Sequence, residues 1–302
     1  MKPGKPIQII LLGLLVAGSI LALNSCQTKE PQQQIIMGLV HFQNNAKSNI
    51  QLDVFKDAIE EEIPDVKVEL TNTNNYDRGV ELICEGKWDV IFAMSPVVAA
   101  KAVQCGQIPV FQAYGKGTYQ SWLFVRSDSP LAKNFKIEEL TDKTLALNQV
   151  GSASGYVVPV HTLCGATVKK IGFLGDYDKI KNAVASNEYD IGAAPDALIE
   201  GDTLFPKGTF TVVAKSMDIP KGAILFNPHL STHMREKIKA VMAGIPPAKI
   251  PKGSKDENIL ESQVTVNQSN YRTLGKIVKE VDSLGEFYKH KPVKIACQQY
   301  FK

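Results

Sequence analysis

The sequence predicts an α/β protein of two lobes, each a mainly parallel sheet flanked by helices. Strand-like and helix-like segments alternate from residue 35 onward, and such alternation is typical of doubly wound sheets. A motif of one aromatic residue, one aspartate and two further small or aliphatic residues occurs at 88–91 and again at 189–192, which indicates two similarly built lobes. The 302-residue chain, even without its first 34 residues, is also too long for one core of the commonest size.

The elements of the first half can be placed in order. Residues 35–40 form an apolar run without alternation, which predicts a strand buried on both faces. Apolar residues at helical spacing from Leu52 to Ile63 predict a helix that Pro64 ends. Further patterns predict a strand at 66–70, a helix at 77–84, and strands at 89–93 and 144–147.

Two prolines mark changes from strand to helix. Pro96 and Pro195 each follow a predicted strand, and proline is tolerated in the first helical turn because its missing N–H would be unpaired there anyway. We expect both turns to face one cleft. Crossings between the lobes are expected at 121–126 and 212–226, so that lobe 1 comprises 35–121 and 223–302 and lobe 2 comprises 122–222.

The N-terminus predicts an exported lipoprotein. Lys2 and Lys5 precede an apolar run that is short for a membrane span, which indicates a signal peptide over residues 1–25. The run ends in Leu-Asn-Ser-Cys26, which resembles a lipobox, so Cys26 is expected to carry the lipid and to become the mature N-terminus. An ordinary signal peptide followed by a coincidental cysteine is the alternative.

Residues 26–34 are expected to form a flexible tether, because 27–34 contain no apolar residue that could offset the entropy of ordering them. The protein would then lie on the periplasmic side of the cell envelope, with the lipid as its membrane contact. Lysines and arginines number 34 against 31 acidic residues, a balance that argues against nucleic-acid binding.

Four cysteines besides the lipidated Cys26 follow the signal peptide, and an oxidising compartment would allow them to pair in three ways. Cys84 with Cys105 is favoured because both flank one strand-helix unit, and free buried thiols are the alternative. Cys164 and Cys297 complete the set, and the spacings match no zinc pattern.

The histidines predict no metal site. His229 and His233 lie four residues apart, but they have no carboxylate partner in the pattern, and such a pair is typical of a helix surface. We therefore expect neither a metal nor a cofactor.

Residues 148–159, here called the cradle segment, carry the most informative chemistry. They follow the strand at 144–147 and precede an apolar helical run. Small residues let a backbone approach a ligand, serine hydroxyls donate to oxygen, and the first N–H groups of a helix carry partial positive charge. Together these features predict an anion site, with a serine cap on an ordinary helix as the alternative.

Three motifs in fixed order resemble the phosphonate, phosphite and phosphate-ester binding proteins of ABC importers. They are Tyr119-x-Ser-x-Leu-x-Val-x-Ser-Asp-Ser-Pro-Leu131, Leu140-x-Asp-Lys-Thr-Leu-Ala-Leu147 and Gly151-Ser-Ala-Ser-Gly-Tyr-x-x-Pro159, within a resemblance from about Ile36 to Met242. The resemblance implies the type II periplasmic-binding-protein (Venus-flytrap) fold. It also implies a monomeric, non-enzymatic protein that binds a small oxyanion between its lobes and delivers it to the permease and ATPase of an importer.

In that family a Ser-Thr-Ser sequence binds the phosphonate oxygens through hydroxyls and backbone amides. By resemblance these positions are Ser152, Ala153 and Ser154, followed by Gly155. Ala153 departs from the pattern and removes one hydroxyl, and a hydrogen bond to a charged group contributes about 1.5–3 kcal/mol. The site is therefore expected to be weaker or to prefer another anion.

The resemblance also implies contacts from Tyr76 and Tyr119, and Ser95 has a comparable position after the third strand. A family histidine corresponds to Tyr177, which donates one hydrogen bond but brings no charge near pH 7. The carboxylates with which relatives bind an ammonium group are missing, and only Asp196 is close by. Phosphite, methylphosphonate or phosphate is therefore expected.

Two other kinds of protein share the fold and stay open as alternatives. One is a sensor or adaptor that signals or binds a protein partner. The other is an enzyme such as a pyrimidine-precursor synthase, against which the signal peptide argues, as does the lack of a recognisable catalytic constellation in the sequence.

Overall fold

A computed structural model describes residues 32–40, 52–252, 258–264 and 266–297. The predicted signal peptide and Cys26 lie outside these residues. In chain order the strands are β1 (Gln33–Val40), β2 (Val66–Thr73), β3 (Val90–Ala93), β4 (Ile108–Gln112), β5 (Thr118–Tyr119), β6 (Ser121–Arg126), β7 (Thr144–Leu147), β8 (Thr167–Val168), β9 (Lys170–Phe173), β10 (Ile191–Pro195), β11 (Phe210–Lys215), β12 (Ile219–Pro220), β13 (Ala223–Phe226) and β14 (Val293–Lys294). The helices are α1 (Asp53–Glu62), α2 (Tyr76–Cys84), α3 (Pro96–Gln104), α4 (Val158–Thr162), α5 (Tyr177–Ala185), α6 (Asp196–Glu200), α7 (Thr232–Gly244) and α8 (Gln268–Ser283).

These bounds confirm the strands and helices predicted for the first half of the chain, with ends shifted by up to three residues. One correction concerns the tether, because β1 begins at Gln33, inside the expected 26–34 segment. Gln33 and Gln34 pair with Val66 and Lys67 of β2 through the backbone. A strand can extend in this way without an apolar side chain, since the ladder is made by main-chain groups.

Two five-stranded sheets organise the chain. The first has the order β2-β1-β3-β13-β4 and the second the order β11-β6-β10-β7-β9. In the first sheet β1 is parallel to β2 and β3, whereas β13, which enters from the second half of the sequence, is antiparallel to both of its neighbours. In the second sheet β7 is parallel to β9 and β10, and β6 is antiparallel to β10 and β11.

A short two-stranded ribbon joins the sheets. It consists of β5 and β12, in which Tyr119 pairs with Ile219 and Thr118 with Pro220. The first crossing therefore precedes Ser121, since β6 belongs to the second sheet from its first residue. Two short chain segments that run side by side between the sheets can act as a hinge, because only a few backbone dihedral angles have to change.

The C-terminal residues differ from the expected grouping of 223–302 with lobe 1. Helix α8 packs along α3 beside the first sheet, where Lys101 and Asp282 form an ion pair of 2.8 Å. Farther on, β14 pairs with β8, next to the second sheet, and a disulfide joins Cys164 to Cys297. Residues 293–297 are therefore bonded to the half of the molecule that is built on the second sheet. No local sequence pattern encodes these interactions.

Both disulfides link cysteines that the sequence analysis considered. Cys84 is bonded to Cys105, which confirms the favoured pairing, and Cys164 is bonded to Cys297. The alternative of free buried thiols is therefore wrong for these four residues. Among the described helices, none combines the length and apolar character that crossing a bilayer requires.

The repeated aromatic-aspartate motif has the same structural role in both halves. In the first, the Trp88 ring lies on Gly38 of β1, so close that a Cβ on Gly38 would be 2.0 Å from Trp88 Cδ2. The Asp89 carboxylate accepts a hydrogen bond of 2.8 Å from the backbone N–H of Ile36. The aromatic ring thus fixes the packing between β1 and β3, and the carboxylate ties β1 to the turn before β3.

The second half repeats this arrangement. A Cβ on Gly172 of β9 would lie 2.0 Å from the hydroxyl oxygen of Tyr189. Asp190 accepts bonds of 2.8 Å from both the backbone N–H and the hydroxyl of Thr144, at the start of β7. The repeated motif therefore joins strands in both halves, to β1 in the first and to β7 and β9 in the second.

The two prolines differ slightly from each other. Pro96 is the first residue of α3, as expected. Pro195 is the last residue of β10 and immediately precedes α6, so it lies one position before the first helical turn.

Candidate anion-binding site

Five of the residues singled out in the sequence lie where a strand gives way to a helix. Tyr76 begins α2, Ser95 precedes α3, Tyr177 begins α5 and Asp196 begins α6. Ser152 precedes a π-helical turn, Ala153–Val157, that continues into α4. Ligands of open α/β sheets bind beyond the carboxyl ends of strands, where the N-termini of helices also supply positive potential.

Three hydroxyl groups meet at the start of this turn. The Oγ atoms of Ser152 and Ser154 each lie 3.1 Å from the hydroxyl oxygen of Tyr177. Both serines are 3% exposed, so water competes little for these groups. We call Ser152, Ser154 and Tyr177 the hydroxyl cluster.

The backbone of the turn explains how these hydroxyls are held. The carbonyl of Ser152 accepts from the N–H groups of both Tyr156 (3.1 Å) and Val157 (2.9 Å), and its Oγ accepts from Gly155 (3.2 Å). Helix geometry gives the N–H groups of Ala153 and Ser154 no partner within the turn, because the carbonyls four or five residues before them lie outside it. The segment can therefore offer two backbone amides beside its serine hydroxyls.

Gly155 is required for this close packing. A Cβ at this position would lie 2.3 Å from the Asn148 Cβ, 2.9 Å from the Ser152 Oγ and 3.1 Å from the Tyr177 hydroxyl. The carbonyl of Gly155 also accepts from the N–H of Asn148 at 2.9 Å. The glycine thus allows the turn to fold back onto the end of β7.

Ser121 supports the turn from a neighbouring strand, a role that the sequence analysis did not assign although the residue is part of a quoted motif. Its hydroxyl donates to the carbonyl of Ser154 at 2.6 Å, and its N–H donates to the Ser216 Oγ at 2.9 Å. Ser121 thereby couples the turn to β6, the first strand after the crossing. Only its place in the motif could have drawn attention to it.

Replacing Ser121 with alanine is therefore expected to weaken oxyanion binding about three- to tenfold. The variant removes a buried hydrogen bond that positions Ser154, and such bonds contribute about 0.5–1.5 kcal/mol. Titration calorimetry measures the effect. Ser127→Ala is the matched control, since the Ser127 Oγ bonds Thr211 Oγ1 at 2.8 Å away from the site; equal losses of affinity in both variants would contradict the role given to Ser121.

Tyr76 approaches the turn from the side of the first sheet. A Cβ on Gly151 would lie 3.1 Å from the Tyr76 Cδ2, so the phenol ring rests against the backbone of the cradle segment. Burial raises the pKa of Tyr76, nearby Tyr177 raises it further, and the hydroxyl of Ser95 acts in the opposite direction. The phenol therefore keeps its proton and can donate it in a hydrogen bond.

Tyr119 lies on the crossing ribbon, beside the same group. Burial raises its pKa, as does the proximity of Tyr177, whereas Ser154 lowers it by hydrogen bonding. The ammonium of Lys221 lies 5.4 Å from the centre of the Tyr119 ring. Lys221 was not among the predicted residues, and it brings a positive charge to the side of the site that the ribbon forms.

The Asp196 carboxylate is engaged by the backbone. It accepts from the N–H of Gln120 at 3.1 Å and from that of Ala197 at 2.7 Å. Its negative charge is close enough to Tyr119 to contribute to the raised pKa of that residue. The structure thus brings all the predicted residues to one region, with Asp196 at its edge and bonded to the crossing segment.

Two other features lie apart from this region. A hollow of about 350 Å³ between β4 and α7 is lined by residues such as Val110, Arg235 and Lys239, and by none of the predicted ones. Cys164, Glu280 and Cys297 lie together as potential metal ligands, but the two cysteines are bonded to each other and offer no thiolates.

A family model described as ABC transporter, phosphonate, periplasmic substrate-binding protein matches residues 37–271. No curated protein matches the sequence. The chain resembles the solved structure of XAC2383 from Xanthomonas citri bound to ATP, with a TM-score of 0.65, 17% identity, and coverage of 83% of this chain and 98% of that one.

It also resembles PhnD1 from Prochlorococcus marinus in complex with methylphosphonate, with a TM-score of 0.58, 15% identity, and coverage of 83% of this chain and 99% of that one. At such identities the likeness concerns the fold. It confirms the predicted fold class, an α/β protein with helix-flanked sheets in the arrangement of type II periplasmic binding proteins. The sheets were predicted to be mainly parallel, but each has two parallel and two antiparallel pairings, because a strand from elsewhere in the chain inserts antiparallel to its neighbours.

Proposed function

Because the chain belongs to the family of periplasmic substrate-binding proteins of phosphonate ABC transporters, we propose that it binds a small phosphorus oxyanion at the hydroxyl cluster and delivers it to an importer. Proteins of this family bind a small ligand outside the cytoplasm and present it to a permease and its ATPase. Their part in transport is binding, and the chemistry of transport belongs to the other components.

The observation that carries the proposal is the convergence of the Ser152, Ser154 and Tyr177 hydroxyls, with 3.1 Å between the tyrosine oxygen and each serine oxygen. Helix geometry adds the backbone amides of Ala153 and Ser154 as further donors. An oxyanion accepts hydrogen bonds and offers none from its charged oxygens, so a site rich in donors fits it. Hydrogen bonds to a charged group are about twice as strong as neutral ones. Donors of this kind can bind an anion without a full counter-charge in contact with it.

The opposite wall of the proposed site comes from the first sheet and from the ribbon. The phenols of Tyr76 and Tyr119 hold their protons because burial raises the pKa of each. Both can therefore donate to ligand oxygens, and their rings exclude water. Ser95 is 1% exposed, and its hydroxyl lies beside Tyr76, which supports its proposed role as a further donor.

A ligand with a small, uncharged substituent suits this set of groups. The carboxylate of Asp196 already accepts hydrogen bonds from two backbone N–H groups, so it is poorly placed to bind an ammonium group of a ligand. Lys221 adds a cation instead. Phosphite, methylphosphonate and phosphate are accordingly the proposed ligand class, and methylphosphonate is the ligand of the similar PhnD1.

Closure of the two halves would couple binding to transport. The ligand would contact the cradle segment in the second half and Tyr76 in the first, and a closed form that makes both sets of contacts is favoured by the ligand. The β5 and β12 ribbon provides the crossing about which the halves can turn. The closed form is then the one that the permease recognises.

Titration calorimetry with the purified protein tests this proposal. We expect micromolar or tighter binding of phosphite, methylphosphonate or phosphate, and weaker binding of 2-aminoethylphosphonate, whose ammonium lacks a partner. Sulfate serves as the non-phosphorus control. Failure of all five anions to bind would remove the ligand assignment and leave the fold unaffected.

We also propose that Cys26 carries a lipid that anchors the protein to the membrane. The support is the sequence Leu-Asn-Ser-Cys26 at the end of an apolar run, and each buried methylene of an acyl chain contributes about 0.8 kcal/mol to membrane binding. Expression of the full chain in bacteria, followed by fractionation, is expected to find it in the membrane, and Cys26→Ser is expected to release it. A membrane fraction unchanged by Cys26→Ser would contradict lipidation at this residue.

A further inference from the structure

In the hydroxyl cluster, most of the hydroxyl protons are already used in hydrogen bonds within the cluster. Its three hydroxyl groups carry one proton each. Two hydrogen bonds join Tyr177 to Ser152 and to Ser154, and each uses one of those protons. The cluster as it stands therefore has at most one proton left for a ligand, and Ser154 also hydrogen-bonds Tyr119.

The Tyr177 oxygen already contacts both serines. It lies 3.1 Å from each serine Oγ atom and 3.1 Å from the point where a Cβ on Gly155 would lie. A ligand oxygen that accepts from both serines must likewise lie within hydrogen-bond distance of both, and it needs the one proton of each. Tyr177 and such an oxygen therefore compete for the same serine protons.

We propose that Tyr177 competes with the ligand: its hydroxyl takes the place of a ligand oxygen between Ser152 and Ser154, and the oxyanion binds by displacing it. Displacement frees both serine protons for the anion. Tyr177 then lowers the affinity of the site, in contrast to the direct contact that the family resemblance implies for this position. The inference rests on the proposed function, since it needs an oxyanion at this site.

The competing role predicts an unusual sign for a conservative substitution. Tyr177→Phe removes one oxygen atom and leaves the ring, so both serines can donate to the ligand from the start. We expect calorimetry with methylphosphonate and with phosphite to give about five- to 100-fold tighter binding by this variant, because two neutral hydrogen bonds no longer have to be broken.

Tyr76→Phe is the matched control, because it makes the same chemical change at a tyrosine on the opposite wall. It is expected to bind at least about threefold more weakly, through loss of a donor. If Tyr177→Phe instead binds as the unmodified protein does, or more weakly, the tyrosine does not compete and the inference is wrong.

A second measurement needs no ligand. Unfolding of the ligand-free protein is compared for Tyr177→Phe, Ser154→Ala and the double variant, and the two changes should be non-additive because they remove the same hydrogen bond. Additive effects would overturn the inference even if oxyanions bind. If the effects are non-additive but no oxyanion binds, the hydrogen bond is present and the proposed function is wrong. The competition is then wrong as well, because it requires a ligand.

Discussion

Replacing Ser152 and Ser154 together with alanine is expected to weaken methylphosphonate binding at least about 100-fold. Each hydroxyl would donate to a charged oxygen, and the loss of such a bond costs about 1.5–3 kcal/mol. Two losses amount to a factor of about 100 or more in the dissociation constant. Calorimetric titration of the double variant measures the effect directly.

A second pair of serines at the same spacing provides the control. Ser127 and Ser129 lie in the same half of the molecule, where Ser127 bonds Thr211 and Ser129 caps a short helical turn at Leu131. Alanine at both should cost some stability and leave the affinity unchanged. A cradle variant that binds within threefold of the unmodified protein would show that the ligand lies elsewhere.

Gly38→Ala is expected to lower the free energy of unfolding by about 3 kcal/mol. The new Cβ would lie 2.0 Å from the Trp88 ring, far inside contact distance, and both residues are buried in the first sheet. Overpacking of this kind costs about 1–3 kcal/mol and sometimes more. Thermal unfolding should show a melting temperature lower by about 6–12 °C.

Gly244→Ala is the matched control, since a Cβ at the end of α7 would meet nothing within 4 Å. Alanine is favoured over glycine in helices by up to about 1 kcal/mol, so the melting temperature should stay the same or rise. If both variants melt alike, Trp88 does not pack on Gly38 as described.

Much of this arrangement could be predicted from local patterns. The apolar runs and the helical spacing of apolar residues predicted the strands and helices of the first half of the sequence. They do so because burial of one face or of both faces sets the spacing of apolar residues in each element. The repeated aromatic-aspartate motif predicted two similar halves, and Trp88 and Tyr189 each lie against a glycine of another strand of their sheet, although that strand is adjacent only for Trp88. Small residues with serines after β7 indicated where a backbone could approach a ligand.

Other features depend on contacts between distant residues, and local patterns do not contain them. The ribbon of β5 and β12 has two residues in each strand, too few for any periodicity. The pairing of β14 with β8 is accompanied by a disulfide between residues 133 apart in sequence. The Tyr177 hydroxyl was expected to face a ligand, and its bonds to both serines emerge only when α5 and the cradle segment are placed together.

The central claim is that an oxyanion binds between the two halves at the cradle segment, and a crystal structure of the protein with methylphosphonate tests it most directly. The account predicts phosphonate oxygens within about 3 Å of both Ser152 Oγ and Ser154 Oγ, with the Tyr76 hydroxyl on the other side. Methylphosphonate bound in the hollow between β4 and α7, or a cradle segment without ligand at saturating concentration, would contradict it.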